Sequence, residues 1–412
     1  MRYVIIGNSA AGIFAAEAIR KSDKAGRVDI ISDEHFPAYA RCLTSYYLSG
    51  QMADNQMFIR PEDFYRRNNL HLHTGQKVTG IDREIREVYT DTGDIYVYDK
   101  LLLATGASPV IPEIPGVHNQ GVFGLRTLAD AKSILAFSAP GKHALVVGGG
   151  FVALKAAYAL LKAKMSVTCI VSSGQILSQM LDRNAAAMVA EVLTSRGLRI
   201  KYHTDVVEIL NRQDTVKGTV VSGVRLANGE EIPADVVIIG KGVTPNTGFL
   251  GNSGIKVGHG VPVNRYLQTN LPDIYAAGDV AQVRDIISGE SKLNAIWPNA
   301  TEQGTVAGLN MAGLPTVYPG SIGMNSADFF GLSTIAAGLT RTEGAGYEVV
   351  SLFPGPNLYR RLVFQGDTLV GYIMVGKTAQ AGLLTSLVKE QIPLGKMKEE
   401  LMLGRIRQRV LW

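Results

Sequence analysis

Two short stretches carry the strongest chemical signal in this chain: GNSAAG at Gly7–Gly12 and GGFVA at Gly149–Ala153, the latter preceded by Gly148. In the first, Gly7, Ser9 and Gly12 hold the three small-residue positions of G-x-G-x-x-G, with Ala10 and Ala11 between them. In the second, Gly148, Gly150 and Ala153 hold the same positions, and Phe151 follows the second glycine. The first small residue permits a tight turn, the second lets backbone approach a pyrophosphate, and the third lets a helix pack close to a strand. A helix beginning there supplies N–H groups and a positive dipole end that suit phosphate. Each stretch follows a buried-strand pattern (RYVII, HALVV) and leads into a small, apolar run of helical length. Two such motifs predict two nucleotide sites.

The residue ending the next strand separates the two sites. VDIIS leads to Asp33 and Glu34, where a carboxylate can take ribose hydroxyls, and that role is assigned to Asp33 with Glu34 beside it. At the second site VTCIV ends in Val171, followed by Ser172 and Ser173. That leaves no acid for a 2′-hydroxyl and no Arg for a 2′-phosphate, so NADH and NADPH both stay open.

The rest of the chain must position these sites. At 412 residues it exceeds one compact core. Apolar residues make up 46% and charged ones 19%, a soluble, globular balance. Cys42 and Cys169 are the two cysteines and CxxC is absent, so neither a disulfide framework nor a zinc or dithiol motif is expected, and a cytoplasmic location is simplest. The N-terminal apolar run imitates a signal peptide and Ala144–Leu161 imitates a span. Glycines and Lys155 interrupt the latter, so no membrane span is expected. The net charge is +5 with acids interspersed, which gives no reason to expect nucleic acid. A mild basic excess at the C-terminus (Lys389, Lys396, Lys398, Arg405, Arg407, Arg409) could steer an acidic protein partner.

Three further segments bring in a resemblance. YDKLLLATGASPVIPEIPG resembles the ATG crossover of flavoproteins with two dinucleotide-binding domains, IIGKGVTPNTGFL their return crossing, and TNLPDIYAAGDVAQV their second FAD segment. Together the chain resembles the pyridine nucleotide–disulfide oxidoreductase superfamily. The resemblance implies an α/β fold of two Rossmann-like domains, for FAD and NAD(P), plus a C-terminal α+β domain. Residues 1–113 and 242–318 would be the halves of the FAD domain, 114–241 the NAD(P) domain and 319–412 the C-terminal domain, which forms a homodimer in many members. Ala104, Thr105, Gly106 and Gly278 would line FAD. Asp279 would accept a hydrogen bond from the ribityl chain, and Arg41 would lie against FAD phosphate or adenosine. Glu302, Gln303 and Gly304 would open a helix whose N-terminus faces the flavin pyrimidine edge. Ser172 and Gly242 would border the NAD(P) site. Lys155 takes the place of a family Glu near the nicotinamide; it either influences the nicotinamide or is an ordinary exposed helix residue.

Tyr39, Arg41, Ser45, Tyr47, Leu48 and Gly50 are similar to the branch of rubredoxin reductases and nitrite reductase flavoproteins. LNAIWPNATEQGTVAGLNMAG resembles clostridial-type flavoproteins, some linked to ferredoxin-like or carbon monoxide dehydrogenase partners. The implied function is FAD-dependent electron transfer, by hydride exchange at flavin N5, between NAD(P)H and a rubredoxin- or ferredoxin-type iron–sulfur carrier. Two alternatives stand beside it. Cys42 aligns with the single redox cysteine of coenzyme A disulfide reductases, NADH oxidases and peroxidases, although Leu43 replaces the Gly that follows it there. Or the chain is the flavoprotein subunit of a larger electron-transfer complex. Cys42 is thus either a thiol activated by Arg41 or a small apolar residue; Cys169 reads as core. No His follows His259, against the His-based acid–base pair of the long disulfide reductases. RRLVFQGDTLVGYIMVG reads as a hairpin, AGLLTSLVKEQIPL and MKEELMLGRI as helices, and Tyr318, Tyr359 and Tyr372 as core.

Overall fold

The run from Tyr3 to Ile6 is buried on both faces and pairs in parallel on both sides, so it forms a central strand rather than an edge. The computed structural model describes residues 1–216, 218–342 and 344–404. Arg405, Arg407 and Arg409, and the end of the expected helix at Met397, lie outside them.

The chain divides into two compact units. The first comprises Met1–Leu43, Ala53–Ser108 and Val243–Ile322. Its five-stranded parallel sheet has the order Ile274–Ala276, Lys100–Leu103, Arg2–Ile6, Arg27–Ser32, Leu70–Thr74. An antiparallel meander, Val78–Asp82, Glu87–Thr90 and Ile95–Val97, accompanies it. The Ala10–Ser22 helix follows the first strand, and the Trp297–Met311 helix lies against it. Their approach is set by two glycines: a Cβ on Gly304 would fall 2.2 Å from the Ala11 carbonyl oxygen, and one on Gly308 2.4 Å from that of Ala15. Only glycine lets the two backbones come this close.

The second unit comprises Thr44–Met52, Pro109–Gly242 and the chain from Gly323. Its parallel sheet has the order Leu198–Tyr202, Ser166–Val171, His143–Val147, Val236–Ile239, Val122–Gly124. The helices Phe151–Lys162 and Arg183–Ser195 serve this sheet, and the latter is N-capped by Asp182, whose carboxylate accepts from the Ala185 N–H at 3.1 Å. An antiparallel sheet of five strands forms the C-terminal part, in the order Met324–Phe329, Leu332–Gly338, Thr368–Val375, Leu358–Gln365, Glu348–Gly355. Its central hairpin turns at Gly366 and Asp367, as alternation and the Gly-Asp pair predict. Helices Ala381–Glu390 and Met397–Met402 follow.

The short Thr44–Leu48 helix packs against Leu128–Phe137 and Phe151–Lys162 within this unit, and Leu48 enters its core. Ala144–Leu161, the imitation of a membrane span, is a strand, a glycine turn and a helix; among the described residues no helix is long and apolar enough to cross a membrane. Tyr318, Tyr359 and Tyr372 are all buried with partnered hydroxyls, as expected.

Candidate functional site: two glycine cradles

The first cradle is built where the Arg2–Ile6 strand turns into its helix. Gly7 holds φ +121°, and a Cβ there would meet the Ala104 carbonyl oxygen at 2.1 Å. A Cβ on Gly12 would stand 1.9 Å from the Gly7 carbonyl oxygen, so helix and turn are in direct contact. Ser9 is the extended N-cap, and its side chain makes no capping bond. The first helical hydrogen bond runs from the Ile13 N–H to the Ser9 carbonyl, which leaves the N–H groups of Ala10, Ala11 and Gly12 at the open helix end. This arrangement fits a pyrophosphate.

Around that turn stand the other expected residues of the first unit. Ala104, Thr105 and Gly106 follow the Lys100–Leu103 strand, and Gly278 and Asp279 follow Ile274–Ala276; both sit at the carboxyl edge of the parallel sheet, as do Asp33 and Glu34 after Arg27–Ser32. Gly278 approaches the turn closely, with its Cβ position 3.1 Å from the Ala11 methyl. Asp33 is exposed. Glu34 is engaged within the protein: it accepts from the Tyr39 hydroxyl at 2.6 Å and pairs with Arg41. Arg41 also lies over the Tyr39 ring, 5.3 Å from its centroid. Burial alone would lower the Arg41 pKa, but Tyr39 and Glu34 reverse this and hold it above its ordinary value.

Glu302, Gln303 and Gly304 correct the sequence reading. The helix opens at Trp297 with Pro298 in its first turn, so these three lie in its interior rather than at its N-terminus. Gln303 is 2% exposed, and its side-chain oxygen accepts from the Gly278 N–H at 2.8 Å. It fixes the Gly278 turn from behind. Trp297 packs partly buried against the core of the first unit.

Sequence reasoning missed a buried network inside the first motif. The Tyr65 hydroxyl donates to the Asn8 side chain at 2.8 Å and accepts from the Ala38 N–H at 3.0 Å, and the Asn8 amide reaches the Phe36 carbonyl at 3.3 Å. Burial pushes the Tyr65 pKa up. The two flagged crossings also prove to be bonded together. Thr105 Oγ1 donates to the Asn246 carbonyl and Asn246 Nδ2 to the Thr105 carbonyl, both at 2.9 Å.

The second cradle repeats the first. Gly148 holds φ +120°, with its Cβ position 2.3 Å from the Gly240 carbonyl oxygen. Gly150 is the extended N-cap, and the first helical bond runs from Leu154 to Gly150, leaving the N–H groups of Phe151, Val152 and Ala153 at the helix end. Ala153 is tolerated in the third position because Gly240 faces it, with a Gly240 Cβ position 2.8 Å from the Ala153 methyl. Val171, where an acid could have stood, is 2% exposed and covers Gly149. Ser172 beyond it is exposed, Gly242 lies two residues past Gly240, and Lys155 is half-buried on the first turns of the helix.

Cys42 is exposed, in the 3₁₀ turn Arg41–Leu43. Cys169 is fully buried, with its Sγ 3.0 Å from the Gly148 carbonyl oxygen, and burial pushes its thiol up to about 12. It is core, as expected.

A family model described as pyridine nucleotide-disulphide oxidoreductase matches residues 1–304. The chain is 34% identical over 402 residues to the NADH-dependent phenylglyoxylate dehydrogenase subunit epsilon of Aromatoleum evansii, covering 96% of this chain and 93% of that protein. Among solved structures, a NAD-dependent persulfide reductase from A. fulgidus superposes with a TM-score of 0.88 at 28% identity, over 97% of this chain and 79% of that one. A ferredoxin reductase from Rhodopseudomonas palustris superposes with a TM-score of 0.84 at 26% identity, over 92% of each chain.

Proposed function

The chain belongs to the pyridine nucleotide-disulphide oxidoreductase family, and from that premise we propose that it passes electrons between NAD(P)H and an iron–sulfur carrier protein of the rubredoxin or ferredoxin type. It is an FAD-dependent, NAD(P)H-linked oxidoreductase. When bound, FAD supplies the redox chemistry, accepting or giving hydride at its N5. The protein's part is to hold and orient. Residues 1–113 and 242–318 bind FAD, 114–241 bind NAD(P)H, and 319–412 form the C-terminal domain.

In this reading the N–H groups of Ala10–Gly12 take the FAD pyrophosphate and Asp33 the ribose. Arg41, held by Glu34, stands by the adenosine or phosphate. Asp279 takes the ribityl chain, on a turn that Gln303 fixes. The helix beginning at Trp297 offers its N-terminal dipole to the pyrimidine edge. The N–H groups of Phe151–Ala153 take the NAD(P)H pyrophosphate.

The observation that carries the choice of acceptor is the fate of the Tyr39–Gly50 side chains. Tyr39 and Arg41 both commit to Glu34, and Leu48 is buried in the second unit's core. Three of the residues that distinguish the iron–sulfur-protein reductase branch, Tyr39, Arg41 and Leu48, are therefore framework in this chain. The similarity to a ferredoxin reductase supports the reading, and the similarity to a dehydrogenase subunit supports delivery to a protein partner, including a larger complex. The test is carrier reduction by the Cys42→Ser variant under anaerobic conditions. A rate within about twofold of wild type supports direct flavin-to-carrier transfer, and loss of carrier reduction with NAD(P)H bleaching intact contradicts it.

A second reading rests on the exposure of Cys42 beside Arg41. There the thiol would relay electrons from flavin to a small disulfide or persulfide; the A. fulgidus relative is named a NAD-dependent persulfide reductase.

A further inference from the structure

We propose that Lys241, held in place by Asp205, lets the second cradle accept a 2′-phosphate, so that this chain takes NADPH as well as NADH. The inference rests on the reading above that this cradle holds a nicotinamide nucleotide.

The end of the Ser166–Val171 strand lacks the group that would enforce NADH. Val171 is apolar and buried, with its methyls 2.9 and 3.3 Å from the Cβ position of Gly149. The strand end itself offers no carboxylate to bind a 2′-hydroxyl or repel a phosphate, since Val171 is followed by Ser172 and Ser173. Ser172 is exposed next to it, while the Ser173 hydroxyl turns inward to the Gln175 carbonyl at 2.8 Å.

A neighbouring strand returns to this point. The N–H of His203 faces the Ser173 carbonyl at 3.4 Å, and that of Thr204 the Val171 carbonyl at 3.5 Å. Asp205 comes next in the chain and forms an ion pair with Lys241. Lys241 directly follows Gly240, whose carbonyl packs on Gly148 of the dinucleotide turn. One ammonium group is thus anchored at the carboxyl end of the sheet by Asp205, the residue after the Thr204 whose N–H faces the Val171 carbonyl.

Lys201, on the Leu198–Tyr202 strand, pairs with Glu230 at 2.8 Å. The Lys241 side chain keeps 27% exposure and Asp205 36%, so a ligand can reach the pair. A phosphate carries more charge than a carboxylate and offers three acceptor oxygens, so it can share or take over the ammonium from Asp205.

The experiment is calorimetric titration of the FAD-loaded protein with 2′,5′-ADP and with 5′-AMP, at low salt, for wild type, Lys241→Met and Asp205→Asn. The proposal expects wild type to bind 2′,5′-ADP about tenfold tighter than 5′-AMP. Lys241→Met should lose that preference and still bind 5′-AMP, which shows that the cradle is intact, and Asp205→Asn, which releases the ammonium from its anchor, should reduce it. Preference of wild type for 5′-AMP, equal weakening of both ligands in Lys241→Met, or no binding of either ligand overturns the proposal. Binding of 2′,5′-ADP through Lys241 without NADPH bleaching the flavin would uphold it and defeat the electron-transfer reading instead.

Discussion

Thr105 and Asn246 stand 141 residues apart and hold each other by reciprocal hydrogen bonds: side chain to backbone in both directions, each 2.9 Å long. Asn246 also donates its own N–H to the Gly106 carbonyl at 3.0 Å and accepts from the Ser108 hydroxyl at 2.7 Å. The strand exit expected to border FAD and the return crossing from the nucleotide domain are therefore one bonded structure. Replacing Asn246 by Leu removes both side-chain bonds and leaves the Thr105 carbonyl without its donor, at a cost of about 1–3 kcal/mol. A thermal melt should fall and FAD should wash out more readily, whereas Thr105→Val, which removes one bond, should cost about 1 kcal/mol. Equal stability in all three proteins would refute the role of this clasp.

The glycines of the Trp297–Met311 helix give a sharper test of packing. Ala at Gly304 would drive a methyl into the Ala11 backbone and push the first nucleotide helix aside. We expect a loss of about 1–3 kcal/mol or more and weaker FAD retention. Gly382→Ala is the control: it lies exposed in the Ala381–Glu390 helix with nothing near its Cβ position, and should be neutral or stabilising by up to about 1 kcal/mol. FAD content after gel filtration reads the difference. A Gly304→Ala protein with full FAD and an unchanged melt would contradict the close helix contact.

Acid stability should depend on Asp29. Burial pushes its carboxyl up, but the Arg27 guanidinium (2.7 Å) and the His73 imidazole (2.9 Å) outweigh burial and leave its pKa below the ordinary value. A depressed folded pKa means that the contribution is complete above the unfolded pKa, about 3.9, and disappears as pH falls through the lower folded value. Asp29→Asn should therefore melt earlier at pH 7, with the gap to wild type closing below about pH 4. A constant gap across that window would show that the carboxylate charge is irrelevant.

The two thiols should separate cleanly. Cys42 is exposed, and Cys169 is buried with its thiol pushed up to about 12. Iodoacetamide at pH 8 should label Cys42 in the native protein and reach Cys169 only after denaturation. Native labelling of Cys169 in a Cys42→Ser variant would contradict its place beneath the Gly148 turn.

Much of this was legible because it is local. Each glycine motif sits between a strand pattern and a helix pattern, and the structure forms both turns with Gly7 and Gly148 at positive φ. The helix at Trp297 was misplaced although its signal was present: Pro298 marks a first turn, which puts Glu302 and Gln303 inside. What could not be read was pairing across distance. Nothing near Asn246 names Thr105, nothing near Lys241 names Asp205, and nothing in the motif shows that Glu34 bonds Tyr39 and Arg41. Acidic residues advertise charge but not their partner, so the motif located the Asp33–Glu34 pair and the fold added what Glu34 bonds.

The most direct measurement is an anaerobic reductive titration of the FAD-loaded protein with NADH and with NADPH, followed by flavin absorbance. Full bleaching at about two electrons per FAD with no long-wavelength band is expected if the flavin exchanges electrons directly with a protein partner. Uptake of about four electrons, or a thiolate-to-flavin charge-transfer band that Cys42→Ser abolishes, would contradict it and make Cys42 the second redox centre.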